Sequence, residues 1–187
     1  MRCSLPSAPD SKTGEPADPA GAAVVMIGVD PGLRITGYGL VRVTGADVAL
    51  IDAGVLRLKG ETPARLAQIY AGLTDLLAAH PVQEMAIEQP FVALNTRSAF
   101  AIGEARAAAI LAAAHHHVAV SEYTPAAVKQ AVTGYGRGSK DQVGEMVRLQ
   151  FGLKTAPTPA DASDALAIAL CHVAHRRMAG LAGGRRR

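Results

Sequence analysis

At 187 residues with 49% hydrophobic content and 4% aromatics, the chain has apolar mass for one ordinary domain with an aliphatic core, and two domains would be cramped. Its net charge of +3 is uneven, with 7 Lys/Arg against 10 Asp/Glu up to Thr96 and 12 against 6 from Arg97 onward. A basic second half fits a polyanion binder or merely solvated helix faces. No apolar run nears the roughly 18 to 20 residues a bilayer span needs, and no apolar signal segment precedes Gly21. With Cys3 and Cys171 in a tail and a helix, no structural disulfide is expected, so the reading is a cytoplasmic protein with no membrane association.

Residues 1–22 are rich in Pro, Ser, Gly, Asp and Ala without periodicity, and read as a disordered extension. A single folded unit is expected over 23–180, followed by a basic tail at 181–187. Val24 to Val29 is an uninterrupted run of apolar residues and one glycine that ends at Asp30, where Pro31-Gly32 turns the chain. That is the pattern of a central strand buried on both faces. Further strands follow over 35–43 and 47–58, with Gly37 and Gly39 leaving room for something to approach the backbone. Thr62-Pro63 opens a helix, Thr62 as its cap, with Leu66, Ile69, Tyr70, Leu73, Leu76 and Leu77 on one face. A short strand, 83–88, ends in a second carboxylate, Glu88. An alanine-rich helix is expected over 95–114, a brief strand over 118–120, and a helix from Thr124-Pro125 to Val132. Gly134 to Lys140 forms a basic glycine-rich loop, which lacks the spacing of a nucleoside-triphosphate loop. An amphipathic helix over 141–150 and a nearly all-apolar helix over 161–178 complete the domain. The elements describe an α/β fold, a five-stranded mixed sheet flanked by helices, resembling ribonuclease H.

If the strands ending in Asp30 and Glu88 are parallel neighbours, both carboxylates emerge at one sheet edge, where open α/β sheets place their ligand crevice. The last helix adds Asp161 and Asp164, three residues apart on one face. Taken singly, each acid has an ordinary use: a turn residue, a solvated strand end, a helix cap, a first-turn charge. Together on a mostly apolar background they would repel one another and take up protons unless a cation joined them. Oxygen-only ligation points to Mg²⁺ or Mn²⁺. His172 and His175 share a helix face, but no Cys or acidic partner stands at ligand spacing.

Five separated motifs then agree in order with one family. Gly28-Val29-Asp30-Pro31-Gly32 with Thr36-Gly37-Tyr38-Gly39, Ile87-Glu88-Gln89 with Phe91, Lys129-Gln130, Lys140 with Gln142-Val143, and Ala160 to Ala167 resemble the RuvC family of Holliday-junction resolvases. The resemblance implies a homodimeric, metal-dependent endonuclease that makes paired nicks in four-way junction DNA and works with RuvA and RuvB. Its catalytic carboxylates would be Asp30, Glu88, Asp161 and Asp164, holding two metal ions. Lys140 would stand near the reacting phosphate. Lys129 would clamp DNA, and Phe91, Arg97 and Arg137 are further expected DNA contacts. Asp30-Pro31-Gly32 alone also opens sugar-kinase and chaperone ATPase domains, but these need a second lobe. A junction-binding scaffold without catalysis is the other alternative.

Overall fold

A computed structural model describes residues 22–89, 96–136 and 138–183. The expected contacts Phe91 and Arg137 lie outside the described residues, as does the side chain of Arg97. Strands β1 (Val24–Asp30), β2 (Ile35–Thr44) and β3 (Asp47–Arg57) form an antiparallel meander. Helix α1 (Thr62–Ala79) leads to β4 (Val82–Glu88), which returns parallel to β1. Helix α2 (Thr96–His115) precedes β5 (Ala119–Tyr123), parallel to β4. Then come α3 (Pro125–Thr133), α4 (Lys140–Gln150) and α5 (Ala160–Gly183). The sheet order is β3-β2-β1-β4-β5, the five-stranded mixed sheet that the sequence predicts.

Strand alternation divides the core. Val25, Ile27 and Val29 of β1, with Met85 and Ile87 of β4, face α1 and α2, where Ile69, Leu73, Leu77 and four α2 alanines pack on them. Met26 and Ala86 face the other way, against Leu166, Ile168 and Val173 of α5 and against α3 and α4. Because alternation is strict, Asp30 and Glu88 belong to the α5 side as well.

Helix α5 comes unusually close to that side. A methyl group at Gly28 would overlap the carbonyl oxygen of Ala165, and one at Gly37 would overlap that of Asp161. At Gly39 it would lie 2.6 Å from the Leu166 side chain. The room left by these glycines is therefore taken by α5.

Several boundaries differ from the sequence reading. Glu61, not Thr62, caps α1, without a side-chain bond, and Thr62 and Pro63 are its first helical residues. Proline is tolerated anywhere in a first turn, so Thr-Pro does not fix the cap. At α3 the same dipeptide behaves as expected, Thr124 Oγ1 accepting from Ala127 N at 3.1 Å. Strand β5 runs on to Tyr123 because it pairs with β4 as far as Glu88, so ladder bonds override the polar Ser121 and Glu122. Helix α5 is buried only as far as Val173. It continues past its expected end at 178 to Gly183, leaving Met178 and Leu181 exposed.

Gly28→Ala is expected to lower stability by about 2 to 3 kcal/mol, since the helix must lift from the sheet to admit one methyl. Chemical denaturation checks this; an unchanged midpoint would show that α5 does not rest on the β1 backbone.

Candidate active site

The last residue of β1 and the last of β4 sit side by side, as Val29 pairs with Ile87 in the parallel register. The turn after Asp30 is held by Thr36, fully buried, whose Oγ1 donates to Gly32 O at 2.9 Å. Gln89 N, just past Glu88, donates to Tyr123 O at 2.7 Å and carries the pairing with β5 beyond the acid. The α5 contact at Gly37 brings the first turn of that helix, with Asp161 and Asp164, down beside these two strand ends.

A cavity of about 230 Å³ opens there, lined by Asp30, Glu88 and Asp164 with Lys129 of α3 and Lys140 of α4 over an apolar floor. Asp161 faces a shallower groove beyond it, with Arg34 and Arg65. These two arginines were not singled out in the sequence. Their only signals there were positions in the β1–β2 turn and the first turn of α1.

Electrostatics tie all four acids together. Burial, then Asp164, Glu88 and Asp161, push the Asp30 carboxyl up to about 7, with Lys140 pulling the other way. Burial and Asp164 likewise raise Glu88, against Lys140 and Lys129. Lys140 Nζ donates to Asp164 Oδ2 at 3.1 Å, and this bond is the main reason the lysine holds its proton more tightly than usual. Lys140 is placed by a capping box: Ser139 Oγ accepts from Gln142 N and Gln142 Oε1 from Ser139 N. Its side chain is 79% exposed, so the ammonium stands at the mouth of the crevice.

The donor set suits a hard divalent ion in chemistry and in charge, because four coupled carboxylates face two lysines. As the side chains stand, no three His, Cys, Asp or Glu among the described residues converge as a ready-made metal cluster. At Asp164 the Lys140 ammonium takes the place a cation would fill.

The family model for "Crossover junction endodeoxyribonuclease RuvC" matches residues 26–172. The chain belongs to the RuvC family. A crossover junction endodeoxyribonuclease RuvC from Dehalococcoides mccartyi is 44% identical over 158 residues, 83% of this chain and 96% of the relative. One from Halorhodospira halophila is 47% identical over 153 residues, 81% and 90% of the two chains. Among solved structures, Thermus thermophilus RuvC in complex with a Holliday junction substrate superposes with a TM-score of 0.79 at 36% identity, over 83% of this chain and 96% of that one. The yeast mitochondrial Holliday junction resolvase Ydc2, with a TM-score of 0.58 at 11% identity over 83% and 82% of the chains, shares the fold. Family membership thus agrees with the resemblance read from the motifs, and the ATPase alternative falls. Among the described residues no helix is long and apolar enough to cross a membrane.

The raised Asp30 gives a prediction with a definite sign. A group whose folded pKa lies near 7 binds a proton more tightly folded than unfolded, so stability is greatest at acid pH and falls as pH rises through 7. In chelator, Asp30→Asn is expected to be more stable than the parent at pH 8 by roughly 2 to 4 kcal/mol, the advantage vanishing below about pH 4. Denaturation at a series of pH values reads it; a pH-independent difference would show that Asp30 ionises freely.

Proposed function

We propose that this chain, a Holliday-junction endonuclease by family, cuts by metal-dependent hydrolysis at the Asp30–Glu88–Asp161–Asp164 crevice. The observation carrying the reading is one cavity lined by three half-buried acids, Asp30 at the end of β1, Glu88 at the end of β4 and Asp164 on α5, with two lysines beside them and Asp161 in the adjoining groove. The reaction is in-line hydrolysis of a phosphodiester, leaving 5′-phosphate and 3′-hydroxyl ends that a ligase can rejoin.

Asp30, Glu88, Asp161 and Asp164 are the residues that would hold Mg²⁺ or Mn²⁺, two ions matching four carboxylates better than one. Such ions, when bound, acidify a water and neutralise charge on the attacked and departing oxygens. Burial of Asp30 and Glu88 on rigid strand ends holds the acids in one place and keeps bulk water from screening them. Lys140, already bonded to Asp164 and largely exposed, offers its ammonium to the phosphate nearest the reacting bond. Lys129, across the same crevice, takes a neighbouring phosphate. By the family resemblance, Arg97 and Arg137 are further phosphate contacts and Phe91 an aromatic partner for an unpaired base.

A homodimer fits a substrate of approximate two-fold symmetry cut on opposed strands. Helix α2 is the face for it: Ala105, Ala109, Ala112 and Ala113 point inward, while Phe100 at 72% exposure and Leu111 at 59% point out. RuvA and RuvB as partners and a cytoplasmic location remain part of this reading through the family resemblance.

Incubation of a synthetic four-way junction with Mg²⁺ tests the whole, with linear duplex and chelator as controls. Symmetric nicks in the junction alone are expected; binding without nicks would leave a scaffold. Asp161→Asn is expected to cut at least about a hundredfold more slowly, roughly 2.7 kcal/mol of lost transition-state stabilisation, while binding in Ca²⁺ is kept. Wild-type cleavage by that variant would return Asp161 to an ordinary first-turn charge. Lys129→Ala should weaken junction binding and reduce its salt slope by about one, read by gel-shift titration. For the dimer, Leu111→Arg should give a monomer by light scattering, and an unchanged dimer would move the interface off α2.

A further inference from the structure

A second set of polar side chains, centred on one buried histidine, crosses the same helix–sheet contact, away from the crevice. His172 of α5 is 6% exposed, with Nε2 2.6 Å from Glu84 Oε2 on β4 and Nδ1 2.7 Å from the Tyr123 hydroxyl on β5. An ionised carboxylate only accepts, so Nε2 donates to Glu84, and Nδ1 shares the second hydrogen bond with the tyrosine hydroxyl. Arg176, one turn further on, reaches the other oxygen, Glu84 Oε1, at 3.2 Å. The bond from His172 is foremost in holding the Glu84 carboxyl below its ordinary range, against burial. The ring of Tyr123 also lies 4.9 Å, centroid to centroid, from that of His175.

The spacing links this network to the acids. On β4, Glu84 and Glu88 share the α5 face about 13 Å apart, four strand residues at about 3.3 Å each. On α5, Asp164 and His172 are eight residues apart, about 12 Å along the axis. The two lengths agree, so His172 against Glu84 sets Asp164 beside Glu88. Among the other α5 side chains in this contact, Ala165, Ala167 and Ala169 permit closeness but resist sliding weakly, while Leu166 seats over Gly39. A slip of one turn, about 5.4 Å, would break the bonds from His172 to Glu84 and Tyr123 and draw Asp161 and Asp164 away from Asp30.

We propose that Glu84, His172 and Tyr123 are positioning residues for DNA cleavage, whose hydrogen-bonded chain fixes the axial register of α5 on β4 and thereby the spacing of the metal-holding acids. The inference rests on the reading of the acidic crevice as the metal site.

Mn²⁺ binding to the DNA-free protein by titration calorimetry, paired with the Mg²⁺ concentration giving half-maximal junction cleavage, tests it. Glu84→Ala and Tyr123→Phe are expected to weaken Mn²⁺ binding and raise the Mg²⁺ requirement together, by about tenfold. Glu84→Gln, whose amide oxygen still accepts from His172, should stay close to the parent. Leu73→Ala, in the core on the opposite side of the sheet, controls for stability: it lowers the melting temperature without moving either metal readout. Parental Mn²⁺ affinity in Glu84→Ala would overturn the proposal, and if that variant does not fold, parental affinity in Tyr123→Phe overturns it. A parent protein that bound no Mn²⁺ and cut no junction would instead overturn the crevice reading itself.

Discussion

A helix backbone can rest on a β-sheet only where the strands beneath it carry no side chains, and the placement of Asp161 and Asp164 beside the two strand-end acids follows from that. Gly28 and Gly37 remove the Cβ atoms that would strike Ala165 and Asp161, while Gly39 admits Leu166. With α5 seated this low, its first turn lies level with the ends of β1 and β4, and Asp164 shares a cavity with Asp30 and Glu88. Higher seating would separate the helix-borne acids from the strand-borne ones and relieve the burial, and then the repulsion, that raise the Asp30 and Glu88 carboxyls. The packing therefore sustains an electrostatically unfavourable arrangement, the usual mark of a working site.

The positive charges come from a different part of the molecule. Lys129 and Lys140 belong to α3 and α4, which lean on α5 and on each other and touch the sheet little. The acids thus stand on the central sheet and the helix seated on it, whereas the lysines stand on an outer pair of helices joined by a glycine-containing loop. A metal site needs donors held to within fractions of an ångström, while a phosphate track tolerates looser placement because ammonium groups act as mobile point charges.

Much of this was legible in the sequence for physical reasons. An apolar strand ending in Asp-Pro-Gly, a second ending in Glu88 and an apolar helix opening with two aspartates are each costly unless the acids meet, and strict strand alternation sends Asp30 and Glu88 to one face. Less legible was whatever depended on three-dimensional pairing. Strand β5 runs through Ser121 and Glu122 because β4 offers a ladder there, a fact invisible to local propensity. Histidine 172 looked partnerless because its acceptor, Glu84, lies 88 residues away in the chain. The one local hint was that Glu84 has the parity of Ala86 and Glu88 and so must point into the helix contact. Arg34 and Arg65 flank Asp161 only because the β1–β2 turn folds over the start of α1, where Arg65 Nη1 donates to Leu33 O at 3.4 Å.

The ammonium of Lys140 against Asp164 carries one more implication, for the order in which this protein is assembled. Where clustered acids have nothing but one another for company, folding waits for the ion, and apoprotein and unfolded chain become nearly the same species. Here the crevice brings its own counter-charge, exposed enough to leave and anchored well enough to stay. If the crevice is the metal site proposed above, folding need not wait for the ion, and a shortage of metal would idle the enzyme without unfolding it.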